Sequence, residues 1–139
     1  MTTDVVVVTW EGREVLRSCL THLSRAAGSH RLVVVDNASS DGTASMVRAE
    51  FPEALLVELP ENVGFGRGVN AGVAVGTGEA IVLVNNDVDV ESAFVTEIVA
   101  PLGDPAVGMV AGLTLIPDSP LVDQLGVELD VTLAAYNRL

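Results

Sequence analysis

Residues 62–88, NVGFGRGVNAGVAVGTGEAIVLVNNDV, hold the transition on which the fold turns. The glycine-heavy part, from about Gly64 to Gly78, is predicted helical, and Ala80 to Val84 is an apolar run of the size that fills a buried strand. That strand then runs straight into Asn85, Asn86 and Asp87, with Asp89 close behind. Such an ending has two readings. Asp and Asn favour turns and helix caps, and Asp89 could cap a helix beginning near Glu91; alternatively the strand delivers oxygen acceptors to a ligand.

Outward from this stretch, short β-branched runs alternate with segments of helical period. DVVVVTW (4–10) is the first strand, and the helix from about Glu11 places Val15, Leu16, Cys19, Leu20 and Leu23 on one face. RLVVVDN (31–37) is the second strand, followed by a helix that Asp41 or Ser40 can cap. ALLVELP (54–60) is the third and Ala80–Val84 the fourth, then a helix over ESAFVTEIVAPL (91–102) and a fifth strand in VGMVAGLTLI (107–116). Apolar strands separated by helices predict an α/β fold: a mostly parallel, Rossmann-like sheet with helices on both faces and right-handed crossovers.

In open parallel sheets ligands bind beyond the carboxyl ends of the strands. Those ends carry Thr9, Trp10 and Glu11; Asp36 and Asn37; Glu61 and Asn62; and Asn85, Asn86 and Asp87. The sequence therefore predicts a cleft rich in oxygen acceptors on an otherwise apolar sheet.

Charge narrows what the cleft can hold. Nineteen acids face seven basic residues, all arginine, for a formal net charge of −12, which repels phosphate backbones and excludes nucleic acid as a partner. The absence of lysine removes Schiff-base chemistry and the Walker A lysine. Cys19 is the only cysteine, so no intrachain disulfide forms. The apolar runs are strand-sized, and no basic region precedes the first of them, so a cytoplasmic location is expected.

VVVVTWEGREVLRSCLTHL, LVVVDNASSDGT and NVGFGRGVNAGVAVGTGEAIVLVNNDV, in that order and spacing, resemble the family 2 glycosyltransferases, from about Asp4 to about Ile116. The likeness is especially to the rhamnosyltransferase-like branch, in which Asp-X-Asp appears as Asn-X-Asp, here Asn85, Asn86 and Asp87. It implies a GT-A fold, truncated, with a nucleotide-sugar-binding domain over 1–116 and a start of the acceptor side, or a tail, over 117–139. It also implies transfer of a sugar, with inversion, from a nucleoside diphosphate donor (a dTDP- or UDP-sugar) to an acceptor saccharide or other hydroxyl. Mg²⁺ or Mn²⁺ held by Asp87 would carry the diphosphate charge, which suits hard oxygen ligands. Asp89 would support that site from behind.

On the same resemblance, Asp36 contacts base or ribose, and Thr9, Trp10, Glu11, Asn62, Gly64, Arg67, Asn70, Asn85 and Asn86 complete the donor site. Glu11 departs from the family pattern, where asparagine is usual. For Trp10 a base partner and plain packing both stand, and for Arg67 a diphosphate contact and a solvated helix face. Asp41 is better read as a helix cap. The general base expected in an acceptor half has no recognisable counterpart among Asp118, Asp123, Glu128 and Asp130. The chain is thus either a fragment or a short form that binds donor without transferring sugar, and a homodimer through an uncovered sheet surface is one expectation. A further alternative is a dinucleotide fingerprint, since Gly66, Gly68 and Ala71 fit G-x-G-x-x-A with Asp87 about 20 residues on.

Overall fold

A computed structural model describes residues 1–116, 121–124, 127–129 and 135–137. The chain divides into two compact units, Met1–Glu97 and Ile98–Leu139. The first holds strands β1 (Thr3–Thr9), β2 (Arg31–Asp36), β3 (Leu55–Glu58) and β4 (Ala80–Asn85), alternating with helices α1 (Arg13–Arg25), α2 (Thr43–Glu50) and α3 (Phe65–Val75). Helix α4 (Phe94–Val99) follows and runs into a 3-10 turn at Ala100–Gly103.

The four strands pair in the order β3-β2-β1-β4, all parallel. Moving from β1 to β2 and β3 the chain steps one way along the sheet; moving to β4 it crosses back over β1. With right-handed crossovers this places α1 and α2 on one face and α3 on the other. It also sets the topological switch point between β1 and β4, where open α/β sheets bind their ligands.

Both faces of β1 are buried, from Thr3 to Thr9, because each has a helix to meet. On the α3 face, Val6, Val8, Val33 and Val35 form a cluster against which Val57, Leu59, Val69 and Ala71 pack. Glycines let α3 come this close. A Cβ on Gly68 would lie 2.8 Å from Val8 Cγ1, and one on Gly72 would lie 2.5 Å from Val6 Cγ1 and 2.9 Å from Val35 Cγ2. The two glycines are one turn apart, so a flat stripe of the helix rests on the sheet and offsets the poor helix propensity of glycine. On α1 the buried stripe is Leu16, Cys19, Leu20 and Leu23, while Val15, expected on the same face, is exposed at the edge of the first turn.

Strand β4 differs from the expectation of burial on both faces. Val82 and Val84 are buried, while Ile81 and Leu83 are exposed. Leu83 pairs with Val6, so the bare side of β4 is the α3 side. Helix α3 lies over β1 and β2 and leaves β4 uncovered.

At the opposite, amino end of the sheet, the buried carboxylate of Asp4 is held by four donors. Arg31 grips it with Nε and Nη2, each at 2.9 Å, and the backbone N–H groups of Thr77 and Gly78 donate to Oδ2 at 2.7 Å. Burial works against its charge, but Arg31 and the two amides outweigh burial and keep the carboxyl below its usual range. This bond set ties the start of β1 to β2 and to the turn before β4.

The second unit corrects one expectation. The fifth strand expected over 107–116 is reduced to β5 (Thr114–Leu115), which pairs antiparallel with β6 (Val122–Gln124) and not with the parallel sheet. Gly108 and Gly112 weaken any strand over the preceding residues, and Met109 and Leu113 are exposed. Strands β7 (Val127–Leu129) and β8 (Ala135–Asn137) pair antiparallel as a hairpin. The period-two pattern expected over 127–132 is met at β7; Asp118 and residues 130–132 lie outside the described residues.

Candidate functional site

The carboxyl edge of the sheet is built by mutual hydrogen bonding between loops that are distant in sequence. Strand β1 ends at Thr9, which is buried, and Thr9 Oγ1 accepts Asn86 Nδ2 at 3.0 Å across the switch point. Asn86 lies directly over Gly12, where a Cβ would come within 2.7 Å of its amide nitrogen. The start of α1 and the end of β4 therefore fit together only because residue 12 has no side chain.

Strand β2 ends at Asp36 and Asn37, both buried. Asp36 Oδ1 accepts the Ser39 N–H at 3.0 Å and closes the turn that follows, with Ala38 at a φ of 66°. Asn37 is the hub of this edge. Its backbone N–H donates to Thr9 O at 2.9 Å, its Nδ2 to Asn62 Oδ1 at 3.0 Å, and its Oδ1 accepts the Val63 N–H at 2.9 Å. Asn62 Oδ1 also accepts the Gly64 N–H at 3.0 Å, and Gly64, at a φ of 82°, turns the chain into α3. The sequence marks Asn37 only as one of two adjacent polar residues at a strand end; its partners in the 62–64 loop are not visible locally.

Glu11 and Asp41 serve the framework. Glu11 sits at a φ of 50°, its N–H donates to Ser39 Oγ at 2.9 Å, and its Oε1 accepts the Ser40 N–H at 2.6 Å. The left-handed backbone explains why asparagine is the usual residue there. The N-cap positions of α1 and α2 are Gly12 and Gly42, not Asp41 or Ser40; Asp41, one residue before Gly42, instead accepts the first N–H of both helices, Arg13 N–H at Oδ2 and Thr43 N–H at Oδ1, each at 3.0 Å. Thr43's hydroxyl does most to hold the Asp41 carboxyl below its usual range, aided by those two amides. A shallow depression of about 280 Å³ lies here, lined by Glu11, Gly12, Arg13, Glu14, Val15 and Asp41. Its polar groups are committed to one another, so it offers a ligand less than the switch point does.

At that switch point Asp87 is exposed, and among the described residues nothing donates to its carboxylate. Asn85 is exposed on the bare side of β4 and its carbonyl accepts Cys19 Sγ at 3.6 Å. Burial pushes the Cys19 thiol up to about 12, with the charges of Asp89 and Asp87 adding to the effect, so it is no nucleophile. Trp10 and Phe65 are exposed aromatics on the β1–α1 loop and at the start of α3. Arg67 and Asn70 are exposed on α3, and among the described residues Arg67 makes no ion pair. Asp89 does not cap α4. Its Oδ1 accepts Ser18 Oγ at 2.9 Å and lies 3.2 Å from His22 Nδ1, both on α1.

A metal ion would find one free carboxylate here. Among the described residues no three of His, Cys, Asp and Glu gather into a metal site. Hard divalent cations in nucleotide sites are commonly held by one or two carboxylates, with substrate phosphates and water completing the shell. Asp87 fits that pattern and does not fit a cage made by protein alone.

The family model described as glycosyl transferase family 2 matches residues 4–126. The chain belongs to glycosyl transferase family 2. An N-acetylglucosaminyltransferase of Rhizobium meliloti (strain 1021) is 30% identical over 116 residues, 78% of this chain and 27% of that protein. One from Bradyrhizobium elkanii is 28% identical over 116 residues, 78% of this chain and 64% of that protein. Among solved structures, the mannosyltransferase PcManGT from Pyrobaculum calidifontis, in complex with GDP-Man and Mn²⁺, matches with a TM-score of 0.72 at 31% identity, over 76% of this chain and 33% of that one. The chain therefore spans about a quarter of the Rhizobium meliloti relative and under two thirds of the Bradyrhizobium elkanii one.

Within a family 2 glycosyltransferase fold the glycine pattern at 66–71 finds a structural explanation. Gly66 and Gly68 lie inside α3 and not in a strand-to-helix turn, and Gly68 packs against Val8. The dinucleotide fingerprint needs its glycines in the turn after the first strand, so that alternative loses its geometry. No described helix is long and apolar enough to cross a membrane.

Proposed function

We propose that this chain is the donor-binding part of a glycosyltransferase that moves a sugar from a nucleoside diphosphate to an acceptor hydroxyl with a divalent cation. The observation that carries the reading is the exposed Asp87, without a partner among the described residues, at the switch point of a family 2 fold, on a turn anchored to β1 through Asn86 and Thr9. The cation, Mg²⁺ or Mn²⁺, would be held by Asp87 and the donor's own phosphates and would stabilise the charge on the leaving diphosphate. The 31%-identical PcManGT, in complex with GDP-Man and Mn²⁺, supports a donor and a cation of this chemistry.

The other residues bind and orient. Asp36 keeps Oδ2 as the acceptor for an imide N–H or ribose hydroxyl, while its Oδ1 holds the Ser39 turn. Trp10 offers a ring face to the base, and Asn85, Asn70 and Arg67 line the diphosphate and sugar side. Thr9, Asn62 and Gly64 shape the floor through the Asn37 hub, and Glu11 holds the loop that bears Asp36. We place the donor-binding domain at residues 1–116 and the beginning of the acceptor side at 117–139.

The donor's identity separates two finer readings. Asn85-Asn86-Asp87 favours the rhamnosyltransferase-like branch and dTDP, whereas the names of the curated relatives favour N-acetylglucosamine and its UDP donor. Calorimetric titration with UDP, dTDP, GDP and NADH, with and without Mn²⁺, decides. Mn²⁺-dependent binding of one pyrimidine diphosphate is expected; binding of NADH alone would overturn the proposal.

A further inference from the structure

The turn that presents Asp87 is fastened on both sides, and none of the fastenings involves Asp87. On the β1 side Asn86 donates to Thr9. Within the turn the Val88 N–H donates to Asn85 O at 3.2 Å, and Val90 buries its side chain just beyond. On the far side Asp89 is tied to α1. Ser18 and His22 lie one helical turn apart and converge on the same oxygen, Asp89 Oδ1. His22 Nδ1 also lies 3.0 Å from the Ser18 carbonyl oxygen. Both groups facing Nδ1 are acceptors, which assigns the ring proton to Nδ1.

We infer that Ser18 and His22, acting through Asp89, are positioning residues for Asp87. The inference rests on the reading of Asp87 as the cation's ligand. A single carboxylate on an exposed turn must be ordered when the cation binds, and that ordering entropy opposes binding. Tying residues 86 and 89 to β1 and α1 imposes the order beforehand, as the groups behind a metal ligand commonly do. Asp89 turns its Oδ1 to α1, where Ser18 Oγ donates and His22 Nδ1 lies 3.2 Å away, and in this inference it holds the turn from that side. Helix α1, which contributes no side chain to the nucleotide cleft, thereby sets cation affinity from behind it.

The test is Mn²⁺ affinity, read by electron paramagnetic resonance of free Mn²⁺ in the presence of saturating UDP or dTDP. Metal-free nucleotide affinity and thermal midpoint are measured on the same variants. Ser18→Ala and Asp89→Ala are expected to weaken Mn²⁺ about 10-fold, leaving metal-free nucleotide affinity and thermal midpoint in place because these groups are exposed. Asp89→Asn is expected to recover much of the loss, because its amide oxygen still accepts the Ser18 hydroxyl. Wild-type Mn²⁺ affinity in Ser18→Ala and Asp89→Ala, with Asp87→Ala deficient, overturns the inference and leaves the donor site standing. A silent Ser18→Ala beside an Asp89→Asn as deficient as Asp87→Ala makes Asp89 a ligand and also overturns it. An Asp87→Ala variant that still takes up Mn²⁺ normally, or a wild type that takes up none, removes the underlying reading and the inference with it.

Discussion

Asn86 donates its amide to Thr9 Oγ1 at 3.0 Å, and the same amide nitrogen lies 2.7 Å from where a Cβ on Gly12 would stand. One side chain thus bridges the two strands of the switch point and fills the space that Gly12 leaves. Gly12 has a φ of −128°, which any residue adopts, so its substitution is a purely steric test. Gly12→Ala is expected to push the Asn86 amide off Thr9, lowering stability by about 0.5–1.5 kcal/mol, the worth of that hydrogen bond. Nucleotide affinity is expected to fall with it, and chemical denaturation beside calorimetry checks both.

Two glycines of α3 should respond to alanine in opposite directions. Gly72→Ala places a Cβ 2.5 Å from Val6 Cγ1 and is expected to destabilise by about 1–3 kcal/mol despite the gain in helix propensity. Nothing lies within 4 Å of a Cβ on Gly66, so Gly66→Ala is expected to stabilise by up to about 1 kcal/mol. Urea midpoints of the two variants give the answer directly.

Asp4 makes the fold sensitive to acid. Its pKa in the folded chain lies below that of an ordinary aspartate, so the stability it contributes is fully present above the ordinary value and is lost as pH falls through the lower, folded one. In Asp4→Asn an amide replaces a carboxylate that accepts from Arg31, Thr77 and Gly78, and any rotamer sets a donor against donors. A loss of about 2–3 kcal/mol at neutral pH is expected, with a shallower acid limb in the variant's stability curve. Denaturation midpoints between neutral pH and pH 3 test the sign.

Asp41→Ala uncaps α1 and α2 together, because one carboxylate holds the N–H groups of both Arg13 and Thr43. A single cap is worth about 0.5–2 kcal/mol, so the variant is expected at or above the upper end of that range. Asp41→Asn, whose amide has one oxygen, is expected to fall between. Thermal unfolding of the three proteins orders them.

The core of the fold was legible because Val5 to Val8, Leu32 to Val35 and Ala80 to Val84 are uninterrupted apolar runs at strand length, and the α1 stripe keeps a strict helical period. The polar strand ends were legible for the same reason, as abrupt changes of chemistry at Thr9, Asp36 and Asn85. What escaped depends on partners far along the chain. Asp41 was recognisable as a group at the start of α2, where Gly42 takes the N-cap position, but its second bond, to Arg13, spans 28 residues. Asn37 is legible as a polar strand end, but its partners Asn62 and Val63 lie 25 and 26 residues along the chain. Asp89 has the composition of a helix cap, yet Ser18 and His22 hold it instead. The strand expected over 107–116 had the apolar content of a core strand, but it forms only at Thr114–Leu115, paired with β6.

The central claim is that Asp87 binds the cation of a nucleoside diphosphate donor, and its most direct test is one calorimetric comparison. Wild type and Asp87→Ala are titrated with UDP and with dTDP, each with and without Mn²⁺. The expected result is tight binding of one nucleotide by wild type only when Mn²⁺ is present, and no Mn²⁺ enhancement in Asp87→Ala. Equal Mn²⁺ enhancement in both proteins, or none in either, would contradict the claim.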